Sequence, residues 1–313
     1  MNSDSEAELA NGEQVVFLVG APRSGTTLLQ KWMCDNYLVR TLPETHFFSH
    51  LLPSLRDEIG PNEVLAPAEM SVIKRLSQAR SRLRWPDQET PLRAKEVFLR
   101  VVEANISGLC SNDLVLEKTP NHARCIKQIH EFFPAARFVH IVRHPLNAVS
   151  SMCAVNRMIH RMRPRPSRRE LRWFCGHWRD NVFGALGHSW CVPMSCTRYE
   201  DFVQEPARVG QRIADFLDCA ARGEQRGAGD QLYHHDVEPW KAGVETAPDP
   251  GRDHVWHQRL SEREGRYVED LVSSDLRFLG YERKTKDIRL RTRLAWRLRA
   301  IRSKWSESER NAA

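Results

Sequence analysis

The sequence predicts an α/β fold of three layers, a central, mostly parallel sheet with helices on both faces and helical insertions. Three observations carry this. The run Val15-Val16-Phe17-Leu18-Val19 is apolar without alternation, as in a strand covered on both faces. It passes directly into Gly20-Ala21-Pro22-Arg23-Ser24-Gly25-Thr26-Thr27 and then into Leu28-Leu29-Gln30-Lys31-Trp32-Met33, a tight loop followed by a helix start. Further strand-like runs then alternate with helical ones, which implies parallel crossovers.

Taken in order, Tyr37 to Leu42 reads as a second strand ending at Pro43-Glu44-Thr45-His46-Phe47-Phe48. Residues 51–110 hold amphipathic helical patterns broken by prolines, a helical insertion suited to one wall of an acceptor pocket. Leu114-Val115-Leu116 is a third strand running into Glu117-Lys118-Thr119-Pro120, with a helix after it that ends near Phe133-Pro134. Arg137 to Val142 is a fourth strand, leading to Arg143-His144-Pro145 and a helix from about Leu146. The arginine-rich stretch 157–172 reads as a loop before a helix. Met194 to Arg198 is a short strand capped by Tyr199-Glu200-Asp201-Phe202. A helix over 204–219, a long loop over 220–255 and a helix from Ser261 to Phe278 complete the body. Ligands of such sheets gather at the carboxyl ends of the strands. The glycine loop, Glu44, Lys118, Arg143 and Tyr199 are therefore expected to meet at one crevice.

The glycine loop has the spacing of a phosphate-binding loop, Gly-x4-Gly-x-[Ser/Thr], so the fold is expected to be P-loop-like. Free N–H groups and the positive end of a helix dipole surround one small volume there, which suits an anion. Thr26 stands where a nucleoside triphosphatase has the lysine that reaches its β- and γ-phosphates. Arg23 supplies a cation earlier in the loop, suited to a shorter anion. The loop is read as binding a phosphate-like group other than ATP undergoing hydrolysis.

Composition, with 41% hydrophobic and 28% charged residues, is that of a soluble globular protein. No apolar stretch is long enough to span a bilayer, and Met1 to Gln14 has no signal-peptide core. The eight cysteines show no Cys-x2-Cys pairing, so they are read as reduced packing residues of a cytoplasmic protein. The net charge of +7 is uneven: Arg283 to Trp305 carries ten Lys/Arg against one Asp, leaving a net −2 for the rest. The expected organisation is a disordered N-terminus over 1–13, a domain over 14–282 and a basic tail over 283–313.

With these residues in place, the chain resembles the sulfotransferases that use 3′-phosphoadenosine-5′-phosphosulfate (PAPS), in their bacterial and Golgi-type branch. Gly20 to Thr27 is similar to that family's 5′-phosphosulfate loop, and Arg143 to Ser151 to its 3′-phosphate motif. Glu117-Lys118-Thr119-Pro120 and Arg198 to Phe202 are further matches, in the family's order and between about residues 14 and 280. The resemblance implies that Arg23, Ser24, Gly25, Thr26 and Thr27 hold the 5′-phosphate and that Arg143 and Ser151 hold the 3′-phosphate. Tyr199 would contact the nucleoside, its alternative being a core aromatic. Glu44 would be the base and Lys118 would approach the bridging oxygen, with Arg23 also in the catalytic set. The cytosolic branch places a histidine two residues past the Lys118 position, where this chain has Pro120; His46 and His122 stay open as alternative bases. No metal is required. Two departures are noted: arginine at position 23, where cytosolic members have lysine, and no C-terminal Arg-Lys-Gly motif. Which of Arg252, Trp256 or Arg259 closes over the nucleotide is left open.

The implied activity is sulfuryl transfer to a hydroxyl, secondarily an amine, of a carbohydrate, lipid-linked or other small-molecule acceptor. A P-loop nucleotide or small-molecule kinase is the alternative enzyme, and a nucleotide-binding protein without chemistry, recruited by its tail, is the alternative outside enzymology. Leu290, Leu294, Leu298, Ile301 and Trp305 recur at helical spacing among arginines, a basic amphipathic helix. It could lie on an anionic membrane surface, dock an acidic carrier or pack on the body; no nucleic-acid module accompanies it. Oligomeric state is not read.

Overall fold

A computed structural model describes residues 12–52, 90–110, 113–160, 165–223, 231–233, 238–244 and 246–285. The expected helical patterns over 53–89, the first eleven residues and the basic tail from 286 lie outside the described residues. Five strands form one sheet: β1 (Val15–Gly20), β2 (Val39–Thr41), β3 (Leu114–Glu117), β4 (Arg137–Val142) and β5 (Met194–Arg198). Their order is β2-β3-β1-β4-β5, and all four pairings are parallel. Every residue of β1 is buried, which is why its sequence carries no polar alternation.

The period of two sorts β1 between two cores. Val15, Phe17 and Val19 face one with Phe47, Phe48, Phe98, Phe133 and Phe138. Val16 and Leu18 face the other, against α1 (Thr26–Asn36) and against α6 (Tyr199–Gln204) and α7 (Pro206–Leu217). Phe17 lies 5.7 Å from Phe138 and 5.9 Å from Phe48 between ring centres, so one side chain joins β4 to the segment after β2. The first face also takes α2 (Thr90–Asn105) and α3 (Ile126–Phe132). A third cluster, centred on Trp178 and Trp256, packs α4 (Pro145–His160) and α5 (Arg168–Leu186) on α8 (Glu262–Leu271) and α9 (Ser273–Phe278).

Three expected elements differ in detail. The helix expected over 204–219 is α7, which starts only at Pro206 and is parted from α6 by Glu205 at φ −134°, ψ 63°; a residue before proline is kept out of the α region. The helix from Ser261 breaks at Val272 and begins with a capping box of Ser261 and Glu264, a Ser-x-x-Glu signal present in the sequence. Tyr199-Glu200-Asp201-Phe202 starts a helix instead of only ending a strand. Among the described residues no helix is long and apolar enough to cross a membrane.

The last described residues strap the body. Glu269 is fully buried and accepts from the N–H groups of Lys284 at 2.6 Å and Thr285 at 3.3 Å. His144 Nδ1 accepts from the Leu146 N–H at 3.2 Å, so its proton is on Nε2, which donates to the Glu282 carbonyl at 2.9 Å.

Burial makes this fold sensitive to acid. It pushes the fully buried His140 imidazole down to about 4, and it does the same to His177, with Arg124 adding to the effect. The unfolded chain then binds more protons than the folded one between the ordinary histidine value of about 6.5 and about 4. Stability is expected to fall as pH drops through that window. Urea midpoints measured against pH should fall less steeply for His140→Gln; an equal slope in the variant would reject the assignment.

Candidate functional site

The crevice forms at the carboxyl ends of the strands, where the order reverses beside β1. Gly20 ends β1 under the Ile141 carbonyl: a Cβ there would lie 2.4 Å from that oxygen. Gly25 sits at φ 92°, and a Cβ on it would meet the Tyr199 ring at 2.3 Å. Both glycines therefore answer to backbone or ring contact as well as to the turn. Arg23 itself is left-handed at φ 67°, a conformation of order 1–3 kcal/mol above the norm for a side-chain-bearing residue.

The two phosphate-type motifs meet directly. Arg23 Nε donates to Ser151 Oγ at 3.2 Å, and Arg143 Nη1 donates to the Arg23 carbonyl at 3.1 Å. The Arg143 guanidinium lies 4.0 Å above the centre of the Tyr199 ring, which is only 3% exposed. Tyr199 thus props Arg143 from below and fills the space over Gly25. Trp178 Nε1 holds the Arg143 carbonyl at 3.1 Å. Glu200 accepts from the His144 N–H and from the Tyr281 hydroxyl, each at 2.9 Å. Burial, followed by the charges of Arg143 and Arg259, pushes Arg23 down to about 10. Burial is the larger cause; the two neighbouring cations add to it, and an anion would relieve their share.

Glu44 is placed by a buried carboxylate beneath it. Glu117 Oε1 accepts from Thr45 Oγ1 at 2.8 Å and Thr119 Oγ1 at 2.6 Å. Its Oε2 accepts from His122 Nδ1 at 2.9 Å, while His122 Nε2 accepts from the Phe48 N–H at 3.1 Å. His122 is therefore the Nδ1–H tautomer with both ring nitrogens engaged and no exposure, which removes it as a base. Gln30 Nε2 ties α1 to the end of β2 through Thr41 Oγ1 at 2.7 Å.

Glu44 projects from this frame into the cavity with its side chain 13% exposed. Lys118 Nζ, fully buried, donates to Oε1. Lys241 Nζ donates to the same oxygen at 2.6 Å and also pairs with Glu238. His46 Nε2 lies 3.3 Å from Oε2. Burial alone would raise the Glu44 carboxyl, but Lys118, Lys241 and His46 outweigh it and hold the group well below the usual carboxylate range. Burial pushes Lys118 down to about 8 despite Glu44. Lys241, which burial would lower, is instead raised by Glu44 and Glu238.

A cavity of about 1420 Å³ opens over these groups. Arg23, Gly25, Thr26, Thr27, Glu44, Arg143, Ser151 and Tyr199 line it, whereas Lys118, behind Glu44, and Ser24, buried within the glycine loop, do not. The far wall comes from α4 and α5, including Met152, Ile159, Arg169, Arg172, Trp173 and His177. Trp173 and His177 stack with ring centres 5.2 Å apart. One contributor, Lys241, escaped the sequence reading, and another, Arg259, was left open in it. Lys241 lies in the long loop, where no spacing marks it. Arg259, left open with Trp256, faces the cavity, while Trp256 is 1% exposed in the core beside Gly265.

Residues 15–222 match the model of the family described as the sulfotransferase family. A candidate protein-tyrosine sulfotransferase of Caenorhabditis briggsae is 25% identical over 236 residues, 73% of this chain and 72% of that protein. Among solved structures, the sulfotransferase domain of the Synechococcus PCC 7002 olefin synthase aligns at TM-score 0.55 and 19% identity, covering 86% of this chain and 94% of that one. The sulfotransferase domain from the curacin biosynthetic pathway aligns at 0.54 and 17%, covering 85% and 97%. At these identities the two structures speak for the fold.

The glycine geometry yields a test. Gly25→Ala is expected to weaken binding of adenosine 3′,5′-bisphosphate about five- to a hundredfold, since the added Cβ displaces the Tyr199 ring that props Arg143 and such strain is worth ~1–3 kcal/mol. Gly108 has a similar φ of 65° but nothing within 4 Å of an added Cβ, so Gly108→Ala should leave binding unchanged. Calorimetric titration decides; equal affinities would refute the role of Gly25.

Proposed function

We propose that this chain, which belongs to the sulfotransferase family, transfers the sulfuryl group of PAPS to an acceptor hydroxyl. The observation that carries this reading is the shared wall. Arg23, Arg143 and Arg259 crowd beside a carboxylate, Glu44, that is held ionised and faces the same cavity.

The residues present fit the donor. Ser24 Oγ is buried with no hydrogen-bond partner among the described residues, and the first N–H groups of α1 have no intrahelical acceptor. With Arg23, Thr26 and Thr27 they would hold the 5′-phosphate. Arg143 offers a planar cation for the 3′-phosphate, with Ser151 beside it. When bound, the donor supplies an activated sulfuryl group whose bond to the 5′-phosphate oxygen breaks as the acceptor oxygen bonds to sulfur. Glu44 takes the proton of that hydroxyl and Arg23 counters the charge left on the phosphate side, while Lys118 acts only through Glu44 from behind it. The products are a sulfate ester and adenosine 3′,5′-bisphosphate. Catalysis in such transfers is positioning and charge stabilisation.

For the acceptor, the name of the Caenorhabditis briggsae relative directs attention to a phenolic hydroxyl. The stacked Trp173 and His177 beside Arg169 and Arg172 suit an aromatic ring next to an anionic group. Carbohydrate and lipid-linked hydroxyls complete the panel to be screened with radiolabelled donor.

Thermal shift with adenosine 3′,5′-bisphosphate against ATP tests the donor, because the preferred ligand raises stability by mass action. The bisphosphate is expected to win, and Arg143→Ala to abolish its advantage. Glu44→Gln should keep the shift and lose ~10²–10⁴-fold in turnover, and EDTA should leave turnover unchanged. A larger shift with ATP would return the chain to the kinase reading; near-normal turnover of Glu44→Gln would move the base elsewhere.

A further inference from the structure

Lys241 is a feature of this site that the family motifs do not mark. It stands in the 3₁₀ turn Pro239–Val244, which is fastened to the site at two adjacent residues. The Trp240 carbonyl accepts from Arg23 Nη2 at 3.4 Å, and Lys241 Nζ reaches Glu44 at 2.6 Å. Its neighbour Lys118 shares the same carboxylate oxygen but is walled off from the cavity; Lys241 lines it. An anion entering beside Arg23 therefore meets Lys241 as the accessible one of Glu44's two lysines.

Glu44 in this arrangement is a poor base. A carboxylate that accepts from two ammonium groups has its charged form favoured, and an opposite charge nearby is worth about one to three pKa units. The groups that face it are Lys118 from the end of β3, Lys241 from the 3₁₀ turn and Glu238 just before that turn, His46 from its own loop and Arg23 from the glycine loop. Removing one lysine from that balance, and adding negative charge across the cavity, both move Glu44 toward accepting a proton.

We infer, on the sulfuryl-transfer reading above, that Lys241 is a positioning residue that holds Glu44 in the free protein and turns to the donor's 5′ anionic group when that group binds. Binding of the donor thereby releases Glu44 to act as base. Proton acceptance is strengthened only when the leaving group is in place, and Glu238, paired to the same ammonium, keeps Lys241 charged as it moves.

Proton uptake on binding tests this without turnover. Adenosine 3′,5′-bisphosphate is titrated calorimetrically into the full chain at pH 5 to 6, in buffers of different ionisation heat. Wild type should take up more protons than Glu44→Gln, because a carboxyl whose pKa rises on binding gains protons. Lys241→Met should lose most of this difference from its own Glu44→Gln double variant; Lys241→Arg should keep it. Binding with no difference between wild type and Glu44→Gln overturns the inference while leaving the function intact, as does a difference that survives in Lys241→Met. Failure of the bisphosphate to bind overturns both. Should Lys241→Met not fold, the wild type, Glu44→Gln and Lys241→Arg series still decides.

Discussion

Three guanidinium groups on one wall of a partly closed cavity repel one another, and the surrounding structure is arranged to keep them there. The left-handed backbone of Arg23 goes with a carbonyl that accepts from Arg143. The Tyr199 ring supports Arg143 from beneath, a cation–π contact worth more as it is desolvated. Trp178 and Glu200 fix the backbone on either side. Like charges held at short range in a low-dielectric cleft make a site that is preorganised for an anion before one arrives.

The carboxylate side is built by the opposite device. Glu117 is fully buried, yet two threonine hydroxyls and a neutral histidine satisfy it. This matters because a buried charge is tolerated only when paired and hydrogen-bonded. With its lone pairs engaged, Glu117 pins the loop that carries Glu44, so that Glu44 can remain at the cavity edge. Adjacent acids thus divide the work, one holding the backbone and the other facing the substrate space. The C-terminal strap extends the same logic: Glu269 gathers Lys284 and Thr285, and His144 joins the strap to the arginine motif.

Much of this was legible in the chain. An unbroken apolar run before a glycine loop specifies a central strand because burial on both faces leaves no polar side. Arg23 was readable because local spacing around a strand end sets where a short loop points, whereas Ser151, nearly two turns into α4, and the role of Arg143 were marked by the family resemblance. Tyr199 was legible as a site residue meeting the glycine loop and Arg143, but its part there was not: its ring props Arg143 and fills the space over Gly25, contacts formed by residues more than fifty positions away. Lys118 was readable as a cation at a strand end, whereas its seclusion behind Glu44 depends on how the loop after β2 lies over β3.

What the sequence by itself determined is therefore the sheet, its parallel sense and the phosphate-type motifs, since these rest on hydrophobic period and on turn chemistry within a few residues. Only the tertiary structure decided the charge balance at Glu44. Lys241 arrives from a loop almost two hundred residues downstream of Glu44, and whether a carboxylate is ionised, shielded or poised depends on distances and burial that no local pattern encodes.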